Sequence, residues 1–147
     1  MYDQILIPYD GSDEARKGAE HGIELAAALG AGVTALYVID LPGAPRALGL
    51  RDDEEKMRKQ YREYGKDVLD NICSVAREHG VDCSTAIKTG SPAEEITNFA
   101  DDEGMDVIVM GSAYRGTIGT ILGGTTDKVV RTARVPVITQ RMQMDDI

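Results

Sequence analysis

The sequence predicts a doubly wound α/β fold, in which helices cover both faces of an open parallel sheet. Short apolar runs alternate with longer segments of helical periodicity along the whole chain. Most of these runs are strongly apolar, as expected for strands that are covered on both faces. Strict alternation of strand and helix favours a parallel sheet, because right-handed crossovers place the helices on its two faces.

A strand and a capped helix are predicted first. Residues 4–8, QILIP, form an apolar run that ends at a proline. Ser12 then offers a helix N-cap, and Asp13 and Glu14 suit the positive end of a helix. Gly30 follows the last predicted turn, where glycine commonly ends a helix.

The next segment predicts a second strand, a loop and a long helix. Residues 32–40, GVTALYVID, are rich in β-branched and aromatic residues, which favours a strand. Residues 41–52 contain two prolines and two glycines and predict a loop. A stripe at helical spacing follows, and we expect it to face the core. Its members are Met57, Tyr61, Tyr64, Val68, Ile72 and Val75.

The second half of the chain supplies three more strands and two helices. The strands are predicted over residues 83–88, 105–110 and 135–140. Ser91 is expected to cap a helix that begins at Pro92, with Glu94 completing a capping box. A glycine-rich loop and a short helix over residues 127–133 precede the last strand.

Composition limits the classes of function. The length of 147 residues and the 42% hydrophobic content predict one domain, residues 1–147, with its own core. No run approaches the roughly 20 apolar residues of a membrane span, and residues 1–9 do not resemble a signal peptide, so we expect a cytoplasmic protein. The net charge of -9 disfavours nucleic acids and anionic membranes as partners.

The cysteines and histidines give no sign of redox or metal chemistry. Cys73 and Cys83 lack C-x-x-C spacing, and we expect both to be reduced thiols. His21 and His79 lie far apart in sequence without a neighbouring cluster of ligands. No metal site is predicted on these side chains, and the sequence displays no nucleophile and base pair for catalysis.

Two predicted strands end in segments that suit a ligand site. In open α/β sheets, ligands bind beyond the carboxyl ends of the strands, where the strand order reverses. The first strand runs into PYDGS at residues 8–12, and the fourth runs into a loop with five glycines at residues 111–126. Such a loop lets backbone N–H groups approach phosphate, with Arg115 and Lys128 as nearby cations. Its alternative role is a plain connector.

Neither of two familiar nucleotide motifs is complete. Gly111-x4-Gly116-Thr117 resembles the beginning of a Walker A loop, but Thr117 takes the place of the required lysine. The sequence also lacks G-x-G-x-x-G. A P-loop ATPase and a dinucleotide-binding protein are therefore not predicted.

Five segments resemble the universal stress protein family and together span nearly the whole chain. They are ILIPYDGS at residues 5–12, YVID at 37–40, GSPAEEI at 90–96, DVIVMGS at 106–112 and TTDKVVRTARVPVI at 125–138. The resemblance implies a five-stranded parallel sheet in the order 3-2-1-4-5 and a homodimer formed through the last strand, residues 135–140. In one branch of the family it also implies ATP, held between the first and fourth strands.

For that branch, the resemblance implies that Asp10 and Val38 contact adenine, with Asp10 accepting from the amine. Gly111 and the loop would hold ribose and phosphates, although Asp10 could instead be a turn carboxylate and Val38 a core residue. The predicted nucleotide-binding residues are Pro8, Asp10, Val38, Gly111, Arg115, Gly116, Gly119, Gly123, Gly124, Thr125 and Thr126.

The loop departs from the ATP-binding pattern of the family, G-x2-G-x9-G-[ST]. With Gly111 and Gly124 as anchors, Tyr114 takes the place of the middle glycine. With Gly123 as the second anchor, the loop is one residue short and Gly124 replaces the hydroxyl residue. We expect Gly116, Gly119 and Thr125 to compensate; otherwise the protein keeps the fold without ATP.

We therefore predict a regulatory module of the stress response that binds ATP, or ADP or AMP, together with magnesium. Hydrolysis is expected to be weak at most. A slow ATPase and a nucleotide-free dimer acting through protein contacts are the alternatives. Gly111→Val is expected to abolish nucleotide binding with the dimer intact, and Asp10→Ala to weaken selectivity for adenine.

Overall fold

A computed structural model of the chain describes residues 1–41, 51–112 and 124–142. Within these ranges, five strands alternate with four helices. They are β1 (Gln4–Pro8), α1 (Asp13–Leu29), β2 (Gly32–Ile39), α2 (Arg51–Glu78), β3 (Cys83–Thr89), α3 (Pro92–Asp102), β4 (Val107–Ser112), α4 (Gly124–Thr132) and β5 (Val137–Arg141).

The strands form one parallel sheet in the order β3-β2-β1-β4-β5. The predicted fold class and strand order are both confirmed. The chain moves outward from β1 through β2 to β3, and then returns to the other side of β1 to place β4 and β5. The strand order therefore reverses between β1 and β4.

Both faces of the sheet are covered, which is why its central strands are apolar throughout. Ile5 and Ile7 of β1 point into a core formed with α1 and α2, whereas Leu6 points into a second core formed with α3 and α4. All three side chains are completely buried. The neighbouring strand β4 repeats this division, with Val109 in the first core and Ile108 in the second.

The ends of the helices follow the sequence signals with one exception. The Ser12 hydroxyl accepts a hydrogen bond from the Ala15 amide at 3.2 Å, and Gly30 ends α1 in the left-handed conformation at a φ of 69°. Ser91 occupies the N-cap of α3 and Pro92 begins the helix, as predicted, but the Ser91 side chain makes no cap hydrogen bond, so the predicted capping box is wrong. Pro92 has no N–H group, and one of the amides that the first turn leaves unpaired is therefore already missing.

The prediction that the whole stripe of α2 faces the core is wrong for its first half. Met57, Tyr61 and Tyr64 are 39–47% exposed. With 28 residues, α2 is about 42 Å long at 1.5 Å per residue, whereas β2 with eight residues spans about 26 Å. The helix therefore extends past the sheet. Its buried apolar side chains lie in the second half and are Leu69, Ile72, Cys73 and Ala76.

Three boundaries near the carboxyl end of the chain also differ from the predictions. β4 begins and ends two residues later than expected, at Val107–Ser112, and α4 begins earlier, at Gly124. β5, predicted over residues 135–140, runs over Val137–Arg141. Met105 is buried although it lies before the first paired residue of β4. An apolar pattern shows which residues are buried, but it does not show which of them pair with a neighbouring strand.

A disulfide joins Cys73 of α2 to Cys83 of β3, with the two Cα atoms 5.4 Å apart. The prediction of two reduced thiols is therefore wrong. The sequence spacing of ten residues carries no motif, but the turn between α2 and β3 folds the first residue of the strand back against the inner face of the helix. Cys73 is almost completely buried there.

A carboxylate holds the start of the central strand. Oδ2 of Asp106 accepts hydrogen bonds from the backbone amides of Asp3 and Gln4, both at 2.8 Å. These two bonds lower the pKa of the Asp106 carboxyl below its ordinary value of 3.8, because they favour the charged form. Over the described part of the chain, the helices are too short or too polar for any of them to cross a bilayer.

Candidate functional site

A cleft of about 410 Å³ opens at the carboxyl ends of β1 and β4, where the strand order reverses. This volume falls in the range of roughly 300–1,000 Å³ that is typical of small-molecule sites. Segments far apart in sequence form its wall: the turn after β1, the end of β2, the first turn of α3, the end of β4 and the start of α4.

The cleft brings together every predicted binding residue that the structure describes. These residues are Pro8, Asp10, Val38, Gly111, Gly124, Thr125 and Thr126. The other four predicted residues, Arg115, Gly116, Gly119 and Gly123, lie outside the described residues.

The sequence analysis missed eight further residues of the lining. They are Tyr9, Ser12, Glu14, Ala15, Leu36, Pro92, Ile96 and Met110. Leu36 could have been found, because it lies two positions before Val38 and therefore on the same face of β2. Pro92 and Ile96 could not, since their place in the wall depends on how α3 crosses the sheet.

Asp10 lies at the rim of the cleft and is exposed. Its Oδ1 accepts a hydrogen bond from the Ser12 amide at 2.9 Å. Asp10 therefore acts as a turn carboxylate, which is one of the two roles that the sequence analysis considered for it. This bond uses only Oδ1, and Oδ2 takes no part in it. One side chain can thus shape the turn and still offer an acceptor oxygen to a ligand.

Gly111 lies where α1 packs directly on β4. A Cβ atom at this position would stand 2.6 Å from the carbonyl carbon of Glu14 and closer still to its oxygen. On the opposing surface, a Cβ on Gly18 would stand 2.5 Å from the carbonyl carbon of Met110. The absence of a side chain at Gly111 therefore serves the contact between helix and strand, and Gly111→Val would displace α1 whether or not a ligand is present.

The start of α4 forms the opposite wall. Thr126 is buried, and its hydroxyl donates to the Gly111 carbonyl at 3.1 Å, which ties α4 to the end of β4. Gly124 and Thr125 are exposed in the cleft, and among the described residues no atom lies within 4 Å of a Cβ built on Gly124. The N-terminus of this nine-residue helix thus faces the cleft, where the positive end of its dipole favours an anion.

Polar groups are unevenly distributed around the cleft. Two acidic residues, Asp10 and Glu14, line the side of β1 and α1. Burial raises the pKa of the Tyr9 hydroxyl above 10, partly offset by Arg16, so the phenol is neutral at physiological pH. Ser112, next to Gly111, is 2% exposed, and within the described residues its hydroxyl has no hydrogen-bond partner.

Known proteins share both the sequence pattern and the fold. The chain is 34% identical over 139 residues to a universal stress protein of Methanocaldococcus jannaschii, which covers 94% of this chain and 81% of that protein. The solved structure of the universal stress protein UspA from Lactobacillus plantarum superposes with a TM-score of 0.82 at 28% identity, covering 95% of this chain and 98% of that one.

A third likeness concerns the fold alone. The structure of a universal stress protein family member from Arabidopsis thaliana with AMP bound matches with a TM-score of 0.73 at 22% identity, over 98% of this chain and 94% of that one. The sequence model of the universal stress protein family itself matches residues 1–141. The chain therefore belongs to the universal stress protein family.

Proposed function

We propose that the cleft binds an adenine nucleotide, ATP in the first place and ADP or AMP in its absence, and that the protein is a regulatory binding module of the stress response. The observation that carries this proposal is the convergence of Asp10, Val38, Gly111 and the start of α4 on one cleft at the reversal of strand order. The chemistry of the two ends of the cleft differs, as a nucleotide requires.

The end nearest β2 suits a purine base. Val38 is half-buried, and Leu36 and Ile96 add apolar surface to the lining. A base that enters here covers apolar side chains that water would otherwise contact. Asp10 at the rim offers a carboxylate oxygen, which accepts a hydrogen bond from the exocyclic amine of adenine and repels the carbonyl oxygen that guanine carries at the same position.

The end nearest α4 suits phosphate. The helix N-terminus supplies backbone amides and the positive end of the helix dipole. Thr125 adds an exposed hydroxyl, and Gly124 leaves open space beside it. This local donor set is needed because the net charge of -9 repels a polyphosphate at longer range.

Magnesium would enter with the phosphates. Within the described residues, no three His, Cys, Asp or Glu side chains gather to hold a metal ion. Magnesium commonly binds through substrate phosphates, one or two carboxylates and several waters, and it needs no dedicated protein cage. Its contribution in this cleft would be to neutralise phosphate charge in a protein whose net charge is -9.

The proposal includes a homodimer formed through β5. This strand is at the edge of the sheet. The amide of Ile108 bonds the Pro136 carbonyl, and the amide of Met142 bonds the Ser112 carbonyl. Alternation along the strand then points the amides of Val137 and Thr139 away from β4, where a second copy of the chain could pair with them.

Release and turnover measurements test the nucleotide proposal. The purified protein is denatured, and the supernatant is analysed for adenine nucleotides; a second sample is incubated with ATP and magnesium, and phosphate release is followed. We expect bound or bindable nucleotide, a higher unfolding temperature with ATP, and no sustained turnover. Steady phosphate release would favour a slow ATPase, and a protein that ATP does not stabilise would favour the nucleotide-free dimer.

A pair of threonine variants assigns the phosphate end. Thr125→Val removes the hydroxyl at the start of α4, and Thr132→Val removes one at the other end of the same helix, where it donates to the Lys128 carbonyl at 2.7 Å. We expect Thr125→Val to weaken ATP binding about three- to tenfold, the effect of one net hydrogen bond, and to leave adenosine binding unchanged. Thr132→Val should bind both ligands as the unaltered protein does, and equal weakening by both variants would remove the phosphate assignment.

A further inference from the structure

A tyrosine of α2 touches the turn that carries Asp10. The hydroxyl of Tyr64 donates a hydrogen bond to the backbone carbonyl of Asp10 at 2.9 Å, across 54 residues of sequence. The ring of Tyr64 meets Tyr37 of β2 edge to face, with 5.8 Å between the ring centroids. Two contacts therefore fix the direction in which the hydroxyl points.

The turn lies flush against this hydroxyl. Gly11 has a φ of 82°, and a Cβ atom on it would stand 2.6 Å from the Tyr64 oxygen and 3.0 Å from Cγ1 of Val68. Two features require a glycine here: its backbone is left-handed, and α2 leaves no space for a side chain. The turn after β1 is thus shaped by a helix whose first half extends past the sheet.

Tyr64 holds Asp10 from the side opposite the cleft. The carbonyl of Asp10 accepts from Tyr64, while Oδ1 of the same residue accepts from the Ser12 amide. The backbone and the side chain of Asp10 are each held by one hydrogen bond, which fixes the direction in which the remaining carboxylate oxygen is presented. Tyr64 itself is 47% exposed, so burial of its ring does not account for this arrangement.

We infer that Tyr64 is a positioning residue for base recognition: by holding the Asp10 carbonyl, its hydroxyl sets the orientation of the Asp10 carboxylate toward the amine of adenine. The inference rests on the proposed function of the cleft and adds a residue that does not line it. Its effect is confined to ligands that carry the amine, because the phosphate end of the cleft is built on α4.

Inosine triphosphate is the probe that isolates this effect. It differs from ATP by a carbonyl oxygen in place of the exocyclic amine, so the ratio of the two dissociation constants reports the contact with Asp10. Tyr64→Phe removes only the hydroxyl and keeps the ring on Tyr37. Tyr61→Phe removes a hydroxyl from the same exposed part of α2 and is the matched control.

We expect Tyr64→Phe to weaken ATP binding about three- to tenfold, the range for one hydrogen bond, and to leave binding of inosine triphosphate unchanged. Tyr61→Phe should bind both nucleotides as the unaltered protein does. In an Asp10→Ala background, Tyr64→Phe should produce no further fall in the preference for ATP. Far-UV circular dichroism and the unfolding temperature establish that each variant is folded.

The outcomes separate this inference from the proposed function. If the unaltered protein binds neither nucleotide, the proposed function fails and the inference with it. If it binds ATP and inosine triphosphate equally, Asp10 does not recognise the amine, and the inference fails while nucleotide binding stands. A Tyr64→Phe variant that loses both ligands equally, or that keeps the full preference for ATP, contradicts the positioning role alone.

Discussion

Replacing Gly111 by alanine should destabilise the fold, because the added methyl group meets the backbone of α1. The new Cβ would stand 2.6 Å from the Glu14 carbonyl carbon, whereas carbon atoms in contact are about 3.5–4.0 Å apart, so α1 must retreat by roughly 1 Å. A Cβ on Gly18 would be equally close to the Met110 carbonyl carbon, so α1 and β4 are packed backbone to backbone here and a retreat of α1 would also open that contact. The obstructing atoms belong to backbone and cannot turn aside as the end of a side chain would.

The expected loss is about 3 kcal/mol in the free energy of unfolding, at the upper end of the range for overpacked cores. At about 2–4 °C per kcal/mol, this corresponds to an unfolding temperature lower by about 6–12 °C. Gly124→Ala is the matched control, because no atom of the described ranges lies within 4 Å of its added Cβ and Gly124 belongs to a helix. We expect that variant to remain within about 1 kcal/mol of the unaltered protein.

Urea unfolding followed by far-UV circular dichroism measures both variants. A Gly111→Ala protein that unfolds at the same urea concentration as the unaltered protein would refute the argument that α1 rests directly on the end of β4. The result also bears on ligand binding. Loss of nucleotide by a Gly111 variant could follow from a displaced α1, so its effect on binding should be interpreted only beside its stability.

Three further predictions concern the sheet. Asp106→Asn should lower stability at neutral pH, because folding favours the charged form of Asp106, and the difference should shrink as the pH falls through the lowered pKa of this carboxyl. Urea unfolding at a series of pH values from 7 down to 2 checks this. Cys83→Ser should have a free energy of unfolding about 2–4 kcal/mol lower than that of the oxidised protein. Reductant should lower the stability of the oxidised protein and leave the variant unchanged. An oxidised protein whose stability does not respond to reductant would contradict the disulfide. Thr139→Pro removes the backbone amide that faces away from β4 and should therefore yield monomers in light scattering, whereas Thr139→Val keeps the amide and should stay dimeric. A dimeric proline variant would exclude pairing through β5.

The sequence predicted the fold well because its signals there are local and redundant. β1 is apolar and ends at a proline, and α1 has a serine cap at its start and a glycine at its end, so these boundaries are marked by residues close to them. The sheet order was predicted from the family resemblance and not from the strands themselves. Apolar runs identify buried strands, but they do not reveal which strand lies beside which.

The failures share a different physical origin, since each depends on how two elements meet. The helical period of α2 was correct, yet Met57 and Tyr61 are exposed because the helix is longer than the sheet beneath it. Cys73 and Cys83 carry no motif, and only the turn between α2 and β3 brings them together. Contacts of this kind cannot be obtained from one segment at a time.

The candidate site was predicted in part for the same reason. Asp10 follows β1 and Gly111 lies near the end of β4, and the rule that ligands bind at strand ends locates both. Tyr64 was assigned to the core by its spacing, although its hydroxyl bonds the Asp10 carbonyl. A tyrosine in an apolar stripe can take either role, and only the position of the neighbouring turn distinguishes them.

The wall of the cleft has a consequence for folding as well as for binding. Its segments come from the beginning, middle and end of the chain, and the folding of the sheet brings them together. Contacts of such long sequence separation require long loops to close, so a chain that lacks part of the sheet also lacks part of the wall. A nucleotide in the cleft would therefore bind only to the complete sheet. A substitution that destabilises a distant strand should weaken nucleotide binding as well.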